Sequence, residues 1–157
     1  MKKFPRVLLA MTLTASALYS HAQTYGSPIT LEQARKVMAA AEAEARRNNW
    51  NMSVAIVDAG GHLVLLQRMD GSQFVGARIA RDKAWSAAAY KRPGKVFQDR
   101  LAKGGEELRI LQLHGVSAID GGEPIVVDGK LIGGIGVSGG SAEQDGQVSK
   151  AGVSALK

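Results

Sequence analysis

The stretch Pro124–Ser141, PIVVDGKLIGGIGVSGGS, decides the fold. Asp128-Gly129 stands between two β-rich runs, Pro124–Val127 and Lys130–Ser138. An Asp-Gly pair accepts two consecutive positive φ angles, so the stretch reads as a β-hairpin. The same residues carry Gly134, Gly136 and Gly139 in the G-x-G-x-x-G spacing of a dinucleotide-binding turn. That motif opens a βαβ unit and needs an acidic ribose contact about 20 residues further on. Here the strand entering the turn belongs to a hairpin, and no acid stands at the required place. The P-loop reading weakens too, because Gly140 occupies the position of its phosphate-binding lysine. Two compatible readings of the glycines remain. In one, Gly133, Gly134 and Gly136 let a helix or a neighbouring chain approach the strand closely, and Gly139-Gly140 turns into a last helix. In the other, the N–H groups of Gly139 to Ala142 are free at that helix start and hold a carboxylate or another anion.

Working outward, Ser141 reads as an N-cap with Glu143 and Asp145 in the first helical turn, and the helical pattern reaches Leu156. Upstream, the run MSVAIVDAGGHLVLLQRMDG (52–71) is a second hairpin, turning at Asp58-Ala59-Gly60-Gly61. Between the hairpins, QFVGARIARDKAWSAAAYKR (73–92) is a helix so rich in alanine that it can lie close against a sheet, ended by Pro93-Gly94. KVFQDRLAKGG (95–105) is a shorter helix closed by glycine, and EELRILQLHG (106–115) fits helix or strand. At the other end, Thr30 with Gln33 forms a capping box. A helix follows to about Asn48, its apolar stripe made of Leu31, Ala34, Met38, Ala41 and Ala45. Thr24 to Pro28 reads as a short leader into it. Helices grouped between two hairpins predict an α+β fold, a small antiparallel sheet covered by helices, in a single domain.

The first residues are set apart. Lys2, Lys3 and Arg6 form a basic region, Val7–Leu18 is apolar but too short to cross a bilayer, and Ser20-His21-Ala22 supplies small residues at the −3 and −1 positions. The expectation is a signal peptide over 1–22, a mature domain over 23–157, and a periplasmic or secreted location with no stable membrane insertion after processing. Much of the formal charge of +6 belongs to that leader, so the remainder is too weakly basic and too dispersed for nucleic-acid binding. The absence of cysteine excludes thiol catalysis, Cys-ligated zinc and iron–sulfur clusters.

VAIVDAGGHLVLLQRMDG, ARDKAWSAAAY, GGEPIVVDGKLIGGIGVSGGSAEQD and the closing KAG together resemble the GlcG/HbpS family of haem-binding and so-called haem-degrading proteins. The likeness runs over about residues 29–156. It implies a profilin-like fold with a central antiparallel sheet flanked by helices, assembly into a homo-oligomer, and haem as cofactor. The implied function is an exported binding protein for haem or a related anionic tetrapyrrole, in haem or iron handling or sensing. The family also occurs fused to corrinoid adenosyltransferases and near glycolate-utilisation genes.

His62 and His114 are the histidines of residues 23–157 and are the candidate axial ligands, since a neutral imidazole facing a pocket can bind haem iron. His62 follows a hairpin turn, where exposure is expected; His114 lies among apolar residues, where a partly buried, satisfied ring is expected. Arg68, Asp70, Lys83, Gly139, Gly140 and Asp145 are the candidate ligand-binding positions. Lys83 lies in the small-residue helix and is suited to bind a carboxylate such as a propionate. Arg78 and Asp82 have the i,i+4 spacing of a helical ion pair. Two alternatives compete: an enzyme acting on an organic acid with Lys83 and Asp145 as proton-transfer groups, or a non-catalytic oligomeric accessory protein.

Overall fold

The computed structural model describes residues 24–157. The expected signal peptide lies outside the described residues. The elements are β1 (Thr24–Tyr25), α1 (Leu31–Arg47), β2 (Ser53–Asp58), β3 (Leu63–Arg68), α2 (Gly76–Tyr90), α3 (Gly94–Leu101), a 3-10 stretch (Gly105–Gln112), β4 (Gly122–Val127), β5 (Lys130–Ser138) and α4 (Ala142–Ser154). The fold is therefore α+β, with both hairpins where the turn residues put them. Asp128 and Gly129 take φ of 49° and 73°, the two positive values the β4–β5 turn needs. Capping boxes start α1 at Thr30 and α4 at Ser141. The segment that fitted helix or strand is the 3-10 stretch.

β5 lies at the centre of the sheet. It pairs antiparallel with β2 from Ser53↔Ser138 to Asp58↔Gly133, and with β4 from Gly122↔Gly136 to Val127↔Lys130. β3 extends the sheet beyond β2. One expectation is corrected: Thr24–Tyr25 is no mere leader but a short strand parallel to β5, so the sheet is mixed. Gly26 and Ile29 continue this attachment by donating their N–H groups to the carbonyls of Leu131 and Ile132.

Strand alternation assigns the two faces. Val54, Ile56, Ile135 and Val137 point to one side, where they meet Val37, Met38 and Ala41 of α1 and Val148 of α4. Ala55 and Val57 point to the other, where they meet Ala80, Ala84 and Ala88 of α2. Of the β5 glycines, Gly134 and Gly136 belong to this second face, whereas Gly133 lies against Ile29 on the first. A Cβ on Gly136 would collide with the carbonyl of Ala80, and one on Gly134 with that of Ala84. The backbone of α2 therefore rests on the backbone of β5, which answers for the spacing that mimics a nucleotide motif. Gly139 makes the corner after β5: a Cβ there would stand 2.7 Å from the Asn51 carbonyl oxygen.

Candidate ligand-binding cleft

The outer side of α2 carries Ile79, Asp82 and Trp85, spaced three apart and so on one face. Across from them runs the irregular segment between the 3-10 stretch and β4. Together they enclose a cleft of about 470 Å³, bordered on the loop side by His114, Val116 and Ile119. Trp85 is its wall. Two glycines close on the edges of the indole, and both hold positive φ. A Cβ on Gly61 would stand 2.5 Å from Trp85 Cδ1, and one on Gly115 2.6 Å from Cζ3. Each of these glycines adjoins a histidine. Gly61-His62 and His114-Gly115, distant in sequence, thus meet at opposite edges of one side chain.

His114 is exposed, which corrects the expectation of a partly buried ring. Its imidazole stands edge-on to Trp85, with centroids 6.2 Å apart and planes at 88°. Its loop is fastened to α2 twice. Tyr90 Oη donates to the His114 carbonyl oxygen at 2.6 Å, and the Ser117 N–H donates to Ser86 Oγ at 3.0 Å. His62, whose side chain is 83% exposed, faces Asp58 with Nδ1 at 3.2 Å from Oδ2. The other carboxylate oxygen of Asp58 accepts from the N–H groups of Gly60 and His62 at 2.8 and 2.9 Å. Burial pushes the Asp58 carboxyl up, but the hydrogen bonds from His62 and Gly60 outweigh it and leave the pKa below its ordinary value.

The remaining sequence candidates divide between two other places. Lys83 and Asp145 come together, but as each other's partners: Nζ to Oδ2 is 2.7 Å, with both residues almost wholly buried. Gly121 makes room for the pair, since a Cβ there would lie 2.6 Å from Asp145 Cβ and 2.9 Å from Lys83 Nζ. The second oxygen of Asp145 accepts from the Gly140 N–H at 3.0 Å. Burial pushes the Asp145 carboxyl above its ordinary value, while Lys83 and the N–H groups of Gly140 and Gly139 pull it down. The expected anion at this helix start is thus the chain's own Asp145. The neighbouring donors are occupied as well: the Ser141 N–H donates to Gln144 Oε1 and the Gln144 N–H to Ser141 Oγ. Lys83, Gly139, Gly140 and Asp145 form a buried lock between α2 and α4. Its donors are taken up within the chain, unlike the open anion site expected from the sequence.

Arg68 and Asp70 lie at the end of β3 remote from the His62 turn, outside the cleft lining. Arg68 donates to the Ser72 carbonyl at 3.3 Å, and its guanidinium sits 5.2 Å from the centroid of Phe74. Asp70 is exposed in the following turn. Arg78 and Asp82 form the expected i,i+4 pair at 4.0 Å on the open face of α2. Among the described residues no group of three His, Asp or Glu side chains is placed to hold a metal ion. Trp85 lies in the family-like run ARDKAWSAAAY, but neither it nor the Val116–Ile119 wall is among the binding positions singled out from the sequence. The available signal is a lone tryptophan in an alanine-rich helix.

Comparison with known proteins agrees with this architecture. The family described as haem degrading protein, HbpS-like, matches residues 29–154. Protein GlcG of Escherichia coli strain K12 is 38% identical over 110 residues, covering 70% of this chain and 81% of GlcG. The crystal structure of HbpS superposes with a TM-score of 0.77 at 31% identity, over 85% of this chain and 94% of HbpS. The crystal structure of a PduOC:haem complex superposes with a TM-score of 0.75 at 30% identity, over 83% of this chain and 96% of that one. With its fold, its glycine-packed β5 and nearly all of its described residues matched, the chain belongs to the HbpS-like family.

Proposed function

We propose that this chain is an exported haem-binding protein that holds the porphyrin in the Trp85 cleft, with His114 as iron ligand. The observation that carries the reading is the His114 imidazole at the rim of an apolar cleft walled by an indole. The residues fit the group. Ile79, Trp85, Val116 and Ile119 offer apolar surface to a flat ring. The volume of about 470 Å³ lies within the range of small-molecule sites. Arg78 and Arg81 are exposed on α2, each next in sequence to a lining residue, Ile79 and Asp82, and are the cations proposed to meet carboxylates. Bound haem would supply a redox-active iron; the chain supplies the imidazole, the wall and the exclusion of water from the ring.

Family membership and the relative crystallised with haem support the reading. The basic and apolar leader supports export, hence a periplasmic or secreted site of action and a role in haem or iron handling. Exposed Leu108, Leu111 and Leu113, in the segment that leads to His114, support assembly into a homo-oligomer. The organic-acid reading is less well supported, because Lys83 and Asp145 are paired with each other inside the protein and are not among the residues lining the Trp85 cleft.

Haemin titration of the purified protein, followed by absorbance, tests the proposal. A saturable Soret shift is expected. It should be lost or strongly altered in His114→Ala and kept in His62→Ala. Only weak, non-saturating adsorption by the unaltered protein would overturn haem binding, and loss confined to His62→Ala would move the ligand to the other edge of Trp85.

A further inference from the structure

The loop that presents His114 has little regular structure of its own, yet three consecutive features tie it to one helix. Tyr90 Oη donates to the His114 carbonyl at 2.6 Å. Gly115 packs on the benzene edge of Trp85. The Ser117 N–H ends on Ser86 Oγ, and Ser86 is itself buried. Tyr90 is in turn held from two sides, by edge contacts with Trp85 at 6.3 Å and with Phe97 of α3 at 5.5 Å between centroids. The tyrosine hydroxyl is thus carried on a braced ring and spends its donor on the main chain of the residue that borders the cleft.

We propose that Tyr90 is a positioning residue for His114: its hydroxyl, with Ser86 as second anchor, fixes the loop so that the imidazole is presented to the cleft at a set distance from Trp85. The inference rests on the haem-binding reading for its consequence but not for its geometry. A ligand's outer partners fix its orientation before the metal arrives, and their loss commonly lowers metal affinity about 10–100-fold. Tyr90 acts here through the backbone of the ligand residue rather than through its ring, leaving both imidazole nitrogens unassigned to the clamp.

The test uses Tyr90→Phe, which removes one oxygen and keeps the ring contacts, and Ser86→Ala beside it. Tyr90→Phe should bind haemin at least about tenfold more weakly. Its ferric spectrum should move toward that of His114→Ala, a signature that a loss of general stability would not give. In the haem-free protein, amide exchange at Gly115, Val116 and Ser117 should quicken in both variants while exchange in β5 stays unchanged. Unaltered haemin affinity and spectrum in Tyr90→Phe, with His114→Ala defective, would overturn the positioning role. If the unaltered protein binds no haemin, the functional reading fails. The clamp is then judged by amide exchange, and no change at Gly115–Ser117 would refute it.

Discussion

On the α1/α4 side of the sheet, Val54, Ile56, Ile135 and Val137 interlock with Val37, Met38 and Val148. On the α2 side the same strands show Ala55, Val57, Gly134 and Gly136 to a helix of Ala80, Ala84 and Ala88. The first face gains stability from aliphatic area removed from water. The second buries less side chain and gains close backbone approach, so its position is set by collision limits and by polar anchors. Lys83, at the middle of α2, is tied to Asp145 of α4, and Ser86 and Tyr90 hold the loop on its outer side. The difference explains where the cleft can be. The small-residue face seats α2 closely on β5, and the helix turns Ile79 and Trp85 outward to the cleft.

The largest effect should come from breaking the anchor. Lys83→Ala leaves the Asp145 carboxylate buried without its cation and should cost about 3–5 kcal/mol. Lys83→Met with Asp145→Leu should recover most of it, read from urea midpoints. A single-variant loss below about 1 kcal/mol would mean that the α2 face does not depend on the pair. Next comes the contrast between adjacent residues of β5 that face opposite ways. Gly136→Ala drives a methyl into the Ala80 carbonyl and should cost about 2–3 kcal/mol. Ile135→Val, on the aliphatic face, should cost about 1 kcal/mol. Equal losses would erase the distinction between the faces.

The last effect, spread over a pH window, concerns the polar exception on the aliphatic side. Glu123, two residues before buried Ile125 on β4, has one carboxyl oxygen that is buried without a hydrogen-bond partner. Burial pushes its pKa up to about 7 from an ordinary 4.5, with Lys150 opposing and Asp120 adding to the rise. Between those values the folded chain keeps a proton that the unfolded chain has released. Stability is therefore greatest below this window and falls as pH rises through it, by roughly 1–3 kcal/mol. Glu123→Gln should flatten that part of the stability–pH curve; an unchanged slope would assign the proton elsewhere.

Much of the fold was legible because its signals are local. Asp128-Gly129, the caps Thr30 and Ser141, and the alanine density of α2 each act within a few residues. The 3-10 stretch was not legible, since its pattern satisfied two periods at once. The two-residue β1 was missed because its strand character comes from pairing with β5. At the site, sequence selected Lys83 and Asp145 as chemically notable, but a charge in a sequence does not reveal whether its partner is a ligand or another side chain. Here the partner was internal, and only their approach to 2.7 Å disclosed it.

By itself, then, the sequence determined the hairpins, the helices, the family resemblance and the two histidines, because turn conformations, caps and periodic burial are short-range physics. The tertiary structure decided that Gly134 and Gly136 seat a helix instead of a nucleotide, that Asp145 fills the anion position, and that the turns carrying His62 and His114 converge on Trp85. Those outcomes depend on which surfaces meet after chain segments far apart in sequence are packed against one sheet, and no local pattern encodes that meeting.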